Sequence, residues 1–459
     1  MKEGAHAVII VPDGVGVKNY LYSNVLKHLS KDAKITIWST LPESTFTDVK
    51  TRHQIEFNYE PLSLQAEGKR TRLFREAATY ARLRYNTKVT NNATIMKNWR
   101  LQKQNLKLHL LYQLAEYMGA WASHSYKRIL KLERLAKKYW SKPVIAVYKK
   151  QLEKMQPTSL FITHQRVAGL MPVCLAAKEQ NIKTSTAVFS WDNLPKARLN
   201  VDVDDYLVWS DWMKDEMQLY YKEIDIDRVK VTGTPQFEFY KDETVVINRD
   251  KFAETYGLNP ELKWVCFSGD DELTSPHDPL YLRDVAAHIK KNKLPLQIIF
   301  RRCPVDFSNR YDAILEEYHS IIVSIDPIWY TEAEAWVGYY SKQEDIALQV
   351  NLAKHCEAVI NLGSTMAIDF ATFNKPCLYI NYDAVNDENW TTEFIYKFQH
   401  FRSMEGMEPV GWINNEQEIT DKLSALLEGN IGRDRTLWLE KLVRHPYETN
   451  SELIAKTIL

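Results

Sequence analysis

The chain has 459 residues, of which 45% are hydrophobic and 26% charged, with only 15 Gly and 17 Pro. That length exceeds one ordinary core and suits two domains of about 200 residues each, and the composition excludes a disordered or fibrous protein. Lys and Arg total 59 against 59 Asp and Glu; with this balance and no nucleic-acid-binding fingerprint, nucleic acid is not expected as a partner.

The first apolar run, AHAVIIV at 5–11, is the longest in the chain and stops at Pro12-Asp13-Gly14. It is well short of the roughly 18 residues needed to span a membrane. It reads as a strand followed by a turn that aims Asp13, Gly14 and Gly16 at a cleft, with Asp13 a candidate general base. Val- and Ile-rich runs then recur as KITIW, SLFIT, KTSTAVF, YLVW and VKVTG, most followed by helical patterns. Their alternation predicts a parallel α/β domain over 1–235.

A basic stretch interrupts this domain. From Glu67 to Lys154 there are 21 Lys and Arg against five acids. LLYQLAEYM and YKRILKLERLAKKYW space Leu, Ile and Tyr three and four apart, so a helical insertion is expected at 67–154. Its charge reads either as a solvated helix face or as a surface for an anionic membrane, and the abundance of Arg and Trp favours the membrane. Beyond it, FITHQRVAG places His164 at a strand end, as a second candidate base or as a structural histidine. FSWDNLPKARL sets Trp191, Asp192 and Asn193 in a turn, read as lining the cleft or as a turn capped by Asp and closed by Pro195.

After VTGTPQFEFY (231–240) the alternation restarts with KWVCFSG, LQIIFRR, SIIVSI, EAVINLGS and PCLYINY, predicting a second α/β domain over 236–435. Ligands of parallel sheets sit at the carboxyl ends of strands. There the second domain offers a small-residue turn at Ser268-Gly269, paired guanidiniums at Arg301 and Arg302, and the turn Leu362-Gly363-Ser364-Thr365 opening a helix. Gly363, Ser364 and Thr365 suit a phosphate, with Asp369 one turn further on able to reach a sugar hydroxyl. The alternative is that Ser and Thr only cap the helix and Asp369 offsets its dipole; one arginine could likewise form an ion pair with Asp270 or Asp271. The five cysteines (Cys174, Cys266, Cys303, Cys356, Cys377) are scattered without metal-ligand spacing, so no disulfide, zinc site or required metal is expected, and a reducing cytoplasm is the expected setting.

The G-S-T-x-x-x-D turn with its downstream K-P, the R-x-x-P strand end and the V-T-G-T-P-Q-F crossover together resemble the two-domain nucleotide-sugar glycosyltransferases of the GT-B fold, of the kind found in bacterial surface-glycan assembly. The resemblance covers the chain outside 67–154. It implies that the second domain binds a nucleotide-sugar donor, that Ser364 and Thr365 contact its phosphates and Asp369 its ribose or sugar, and that the C-terminal helices at 436–459 cross back to the first domain. It also implies an acceptor in the first domain, a glycan or lipid-linked sugar, and no cofactor beyond the substrate; the charge of 67–154 would place such an enzyme at the inner face of the membrane. One departure stands out: Cys303-Pro304 replaces the His-Pro of several relatives, so Arg301 or Arg302 would have to supply the missing phosphate contact. Two other readings use the same residues: a nucleotide-sugar 2-epimerase, needing no acceptor, and a non-catalytic module that binds an anionic glycan or membrane through 67–154.

Overall fold

A computed structural model describes residues 4–102, 105–330 and 339–459. The first sheet comprises β1 (His6–Val11), β2 (Lys34–Ser39), β3 (Asn58–Pro61), β4 (Ser159–Ile162), β5 (Lys183–Ala187), β6 (Asp205–Val208) and β7 (Val229–Val231). Every pairing is parallel, in the order β3-β2-β1-β4-β5-β6-β7. The second comprises β8 (Lys263–Ser268), β9 (Leu296–Arg301) and β10 (Ile322–Ser324), then, after an antiparallel pair β11 (Trp329–Tyr330) and β12 (Tyr340–Ser341), β13 (Ala358–Asn361), β14 (Cys377–Ile380) and β15 (Gly411–Ile413). It too is wholly parallel, ordered β10-β9-β8-β13-β14-β15. The chain therefore has two Rossmann-like sheets, the GT-B arrangement, and helices on both faces make its central strands continuous apolar runs. HAVIIV is buried at all six positions. In the two parallel sheets, the strands without a signal in the sequence, β3 (NYEP) and β15 (GWI), are edges where one side needs no apolar residue.

The chain crosses between domains at Gly233, whose φ of +75° falls in the left-handed region. A Cβ there would also lie 2.3 Å from the side chain of Asn450, so only glycine fits. Asn450 opens the last helix, Asn450–Ile458, which returns to the first domain: Nδ2 of Asn450 donates to the Thr234 carbonyl (3.3 Å), the Ser451 amide to Glu238 (2.6 Å), and Nζ of Lys183 to the Thr457 carbonyl (2.7 Å). Among the described residues no helix is long and apolar enough to cross a membrane, and all five cysteines are free.

The insertion between β3 and β4 holds the helices Lys69–Thr90, Leu106–Ala122, Tyr126–Lys138 and Lys142–Met155. Its first three helices share a small core of their own, built mainly of alanine: Ala77, Ala78, Ala81, Ala115 and Ala122, with Ile129 and Leu132. The insertion is anchored by Arg82, fully buried, whose guanidinium donates to Glu133 (2.5 Å), Glu223 (2.7 Å), Tyr126 Oη (2.9 Å) and the Tyr220 carbonyl (2.5 Å). Glu223 and Tyr220 belong to the Rossmann body, so this one cation joins two modules. Removing it leaves two carboxylates facing one another without a counter-charge. Arg82→Leu is therefore expected to lower the unfolding free energy by about 3–5 kcal/mol, measured by urea denaturation; a loss below about 1 kcal/mol would mean the carboxylates find other partners.

Candidate functional site

Each sheet reverses its strand order once, between β1 and β4 in the first and between β8 and β13 in the second. At such a reversal neighbouring crossover helices lie on opposite faces, leaving a crevice at the carboxyl ends of the two strands. Asp13 follows β1 and His164 follows β4, so the two candidate bases flank the first crevice. They form one unit: His164 Nδ1 is hydrogen bonded to Asp13 Oδ2, while Asp13 Oδ1 accepts from the Val15 amide at 3.2 Å as the cap of the Gly14–Gly16 turn. The aspartate thus fixes the imidazole's orientation and leaves Nε2 as the free nitrogen, buried and without a partner. The edge of Phe189 covers the ring at 4.3 Å between centroids.

The second crevice is formed by Ser268-Gly269-Asp270 after β8 and Leu362-Gly363-Ser364-Thr365 after β13. Gly363 has φ +80°, and a Cβ there would come 3.0 Å from Phe401. This turn folds on itself: Asn361 Oδ1 accepts from the Ser364 amide (2.9 Å), and Ser364 Oγ from the Met366 amide (3.4 Å). Thr365 occupies the cap position of the Met366–Ala371 helix, yet its side chain caps nothing and is exposed. Capping therefore does not account for this threonine.

Two lobes of the interdomain cleft meet at Thr365. The larger, about 380 Å³, is lined by Gly363, Ser364, Asp270 and His400 of the second domain, Trp191, Asp192 and Lys196 of the first, and Lys97 and Arg100 of the insertion. Burial drives His400 down to about 4, only partly opposed by Asp192, so its imidazole is neutral near pH 7. Asp270 moves the opposite way. Burial first, and then Asp278, raise its carboxyl well above the usual range, and its Oδ2 is buried without a partner. Burial also raises Asp192, but Lys196 and hydrogen bonds from Lys196 and Ser190 outweigh that and hold it ionised. The smaller lobe, about 230 Å³, has Asp369, Gln349 and Tyr240 opposite Lys18, Phe189 and Ser190. Gln349 bridges the domains, donating to Asp369 Oδ2 (3.0 Å) and accepting from Lys18 Nζ (2.7 Å). Burial raises the Asp369 carboxyl against the pull of Lys18, Tyr240 and Gln349, and lowers the Lys18 ammonium against Asp345 and Asp369.

Several expected site residues are engaged elsewhere. Arg301 is buried and gives its Nη2 to both oxygens of Asp345 at 2.9 and 3.0 Å; Arg302 binds the Ser308 carbonyl and lies 3.7 Å from Asp312. The expected ion pair with Asp270 or Asp271 is thus replaced by one with Asp345, and neither arginine lines a lobe. Ser268 and Gly269 do not line one either, a Cβ at Gly269 lying 3.0 Å from the Tyr311 hydroxyl. Gly14 and Gly16 make room for protein: a Cβ at Gly14 would sit 2.0 Å from the Tyr339 carbonyl oxygen across the cleft, and one at Gly16 would sit 2.4 Å from Thr163. Asn193 is buried between Gln165 (3.2 Å) and Asp192 (2.8 Å), whereas Trp191 and Asp192 do line the larger lobe. Lys18, Lys97, Arg100, Tyr240, Gln349 and His400 went unrecognised in the sequence because none is itself part of a motif, although Tyr240 ends the crossover stretch VTGTPQFEFY; only the surplus of cations at 67–154 pointed toward two of them. Among the described residues no cluster of three or more His, Cys, Asp or Glu is placed to hold a metal ion.

No family model matches the chain, and no curated protein does. Solved structures match over nearly the whole length at low identity. A UDP-GlcNAc 2-epimerase from Neisseria meningitidis bound to UDP-GlcNAc has a TM-score of 0.50 at 12% identity, covering 99% of both chains. The UDP-GlcNAc 2-epimerase from Methanocaldococcus jannaschii reaches 0.52 at 10% identity, and a glycosyltransferase from Rickettsia africae 0.53 at 10%, each again covering 99% of both chains. Likeness at this identity establishes the fold. The expectation of glycosyl transfer is corrected by the comparison: the same two-domain frame is shared with several 2-epimerases.

The Asp13–His164 unit predicts strong coupling. Asp13→Asn, His164→Ala and the double variant should give a cycle that departs from additivity by about 1–3 kcal/mol, because either single change already removes the contact. Urea denaturation of the four proteins checks this; additivity within about 0.3 kcal/mol would show the two side chains to be independent.

Proposed function

We propose that this chain is an epimerase of a nucleotide-activated sugar, converting one molecule into its isomer without an acceptor. The observation that carries this reading is that the larger lobe, whose wall includes the unengaged hydroxyl of Thr365, is also lined by the cations Lys97 and Arg100 from the insertion and Lys196 from the first domain, the last paired with Asp192. A diphosphate is the small anion that several point charges around one narrow turn suit. The likeness to 2-epimerases supports the same substrate class.

Inverting a sugar carbon requires that a proton leave one face and return on the other. A hydrogen on the carbon beside the anomeric centre departs as a proton most readily when the diphosphate leaves with its bond pair, forming a double bond between the two carbons. The isomer results when a proton adds to the other face and the retained diphosphate re-forms its bond to the anomeric carbon, so cations holding the diphosphate stabilise the charge that develops and keep it in place. The proton steps need one group that arrives deprotonated and one that arrives protonated. His400, neutral, and Asp270, whose carboxyl burial pushes toward its protonated form, line one lobe and suit these two roles. Closure of the cleft further supports an acceptor-free reaction: Asn92 donates to the Lys397 carbonyl and Gln399 (both 2.9 Å), Thr94 to the Lys397 carbonyl (3.0 Å), and Arg402 to the Thr90 carbonyl (2.6 Å), tying the insertion to the second domain.

Incubation with UDP-N-acetylglucosamine in deuterium oxide, without acceptor, should place deuterium on C2 and produce a second isomer, both visible by NMR. Absence of exchange together with acceptor-dependent release of UDP would overturn the proposal. Asp270→Asn and His400→Ala should each slow turnover at least about a hundredfold with little change in UDP affinity, whereas Thr365→Val and Arg100→Ala should weaken UDP binding by calorimetry. The pH profile follows in sign: the base limb rises as His400 loses its proton near pH 4, and activity falls on the alkaline side as Asp270 loses the proton that burial retains.

A further inference from the structure

The Leu106–Ala122 helix turns its large apolar residues away from the protein. Leu106, Leu110, Leu114, Tyr117 and Trp121 are between 47% and 78% exposed and, at 100° per residue, fall within one narrow stripe. The opposite face carries Tyr112, Ala115, Gly119 and Ala122, all buried. Gly119 presses so closely on the Lys69–Thr90 helix that a Cβ would lie 2.6 Å from the Ala77 carbonyl oxygen. Close packing of small residues thus fixes the helix with its bulky side chains outward, where a contiguous apolar stripe marks a contact surface.

The following helix, Tyr126–Lys138, repeats the geometry with charge. Ile129, Leu132 and Ala136 are buried, and Lys127, Lys131, Arg134 and Lys138 share the exposed face. The two outer faces meet where the Arg128 guanidinium lies 4.3 Å over the Trp121 ring. Glu133, the acid of this helix, is paired with Arg82 (2.5 Å), and Glu116 of the preceding helix accepts from Trp99 Nε1 (2.7 Å), so neither pairs with the exposed cations. Lys137 instead pairs with Asp202 at 2.8 Å and adds nothing to the face.

We propose that this corner is a docking surface for an anionic lipid bilayer, with the Leu-Tyr-Trp stripe entering the headgroup boundary and the Lys-Arg face meeting lipid phosphates. A second copy is disfavoured as occupant because pairing two stripes would also bring two basic faces together. The proposal stands apart from the chemistry of the cleft.

The test is co-sedimentation of the full chain with vesicles of phosphatidylcholine alone or with 30% phosphatidylserine added. The expected result is binding to the anionic vesicles at least tenfold tighter than to neutral ones, released by high salt. L110Q/L114Q/W121Q and, separately, K127Q/K131Q/R134Q/K138Q should each weaken it at least tenfold while the melting temperature and UDP binding stay unchanged, as the substituted side chains are exposed. Equal sedimentation with both vesicle types, no sedimentation, or wild-type binding by the stripe variant would overturn the proposal. So would a dimer in sedimentation velocity that the stripe variant abolishes, which would assign the stripe to a second copy.

Discussion

A parallel sheet whose strand order reverses must leave one crevice at the carboxyl end of the reversal, because the right-handed crossovers on either side of that point are forced to opposite faces. This chain contains two such sheets with their crevices turned toward one another. The site follows from that constraint: Asp13 and His164 flank one crevice without lining either lobe, Asp270 and the Gly363–Thr365 turn flank the other, and the first domain faces the cavity through Lys18, Phe189, Trp191 and Asp192. Residues from β1, β4, β8 and β13 converge although they are separated by hundreds of positions in sequence.

A cleft between two domains needs something to hold it shut. Part of that work falls to Gly14, whose missing side chain admits the Tyr339 carbonyl oxygen, and part to the Lys18–Gln349–Asp369 chain across the smaller lobe. The rest falls to the insertion. Arg82 fastens its helices to the first domain, and the turn Ala93–Asn98 then reaches the second domain and places Lys97 and Arg100 in the larger lobe. The insertion is in this sense a third wall of the cleft as well as a basic appendage.

That wall alters how charge is supplied. The guanidiniums at the end of β9, well placed on sequence grounds for an anion, are drawn into buried and local contacts, Arg301 by Asp345 and Arg302 by its own loop. A buried guanidinium is tolerated only when paired, and Asp345 also receives the Ile328 amide and Trp329 Nε1, both at 2.9 Å. Arg301 therefore organises the segment after β10, and the cations facing the cleft come from lysines and an arginine that no motif announces.

The sequence by itself determined the two α/β domains, the central strands, the helical character of 67–154 and the Gly363–Thr365 turn, because each is a local matter of apolar runs, periodicity and turn chemistry. It also brought Asp13, His164, Trp191 and Asp192 to strand ends. Only the tertiary structure decided that Asp13 and His164 are one hydrogen-bonded unit, that His400 and Asp270 line the same lobe with burial shifting their pKa values in opposite directions, and that Leu110, Leu114 and Trp121 face outward. The physical reason is common to all three. Pairing, desolvation and the choice of buried helix face depend on which distant surfaces come into contact, as when Gly119 meets Ala77, and the spacing of residues along a chain carries no record of that.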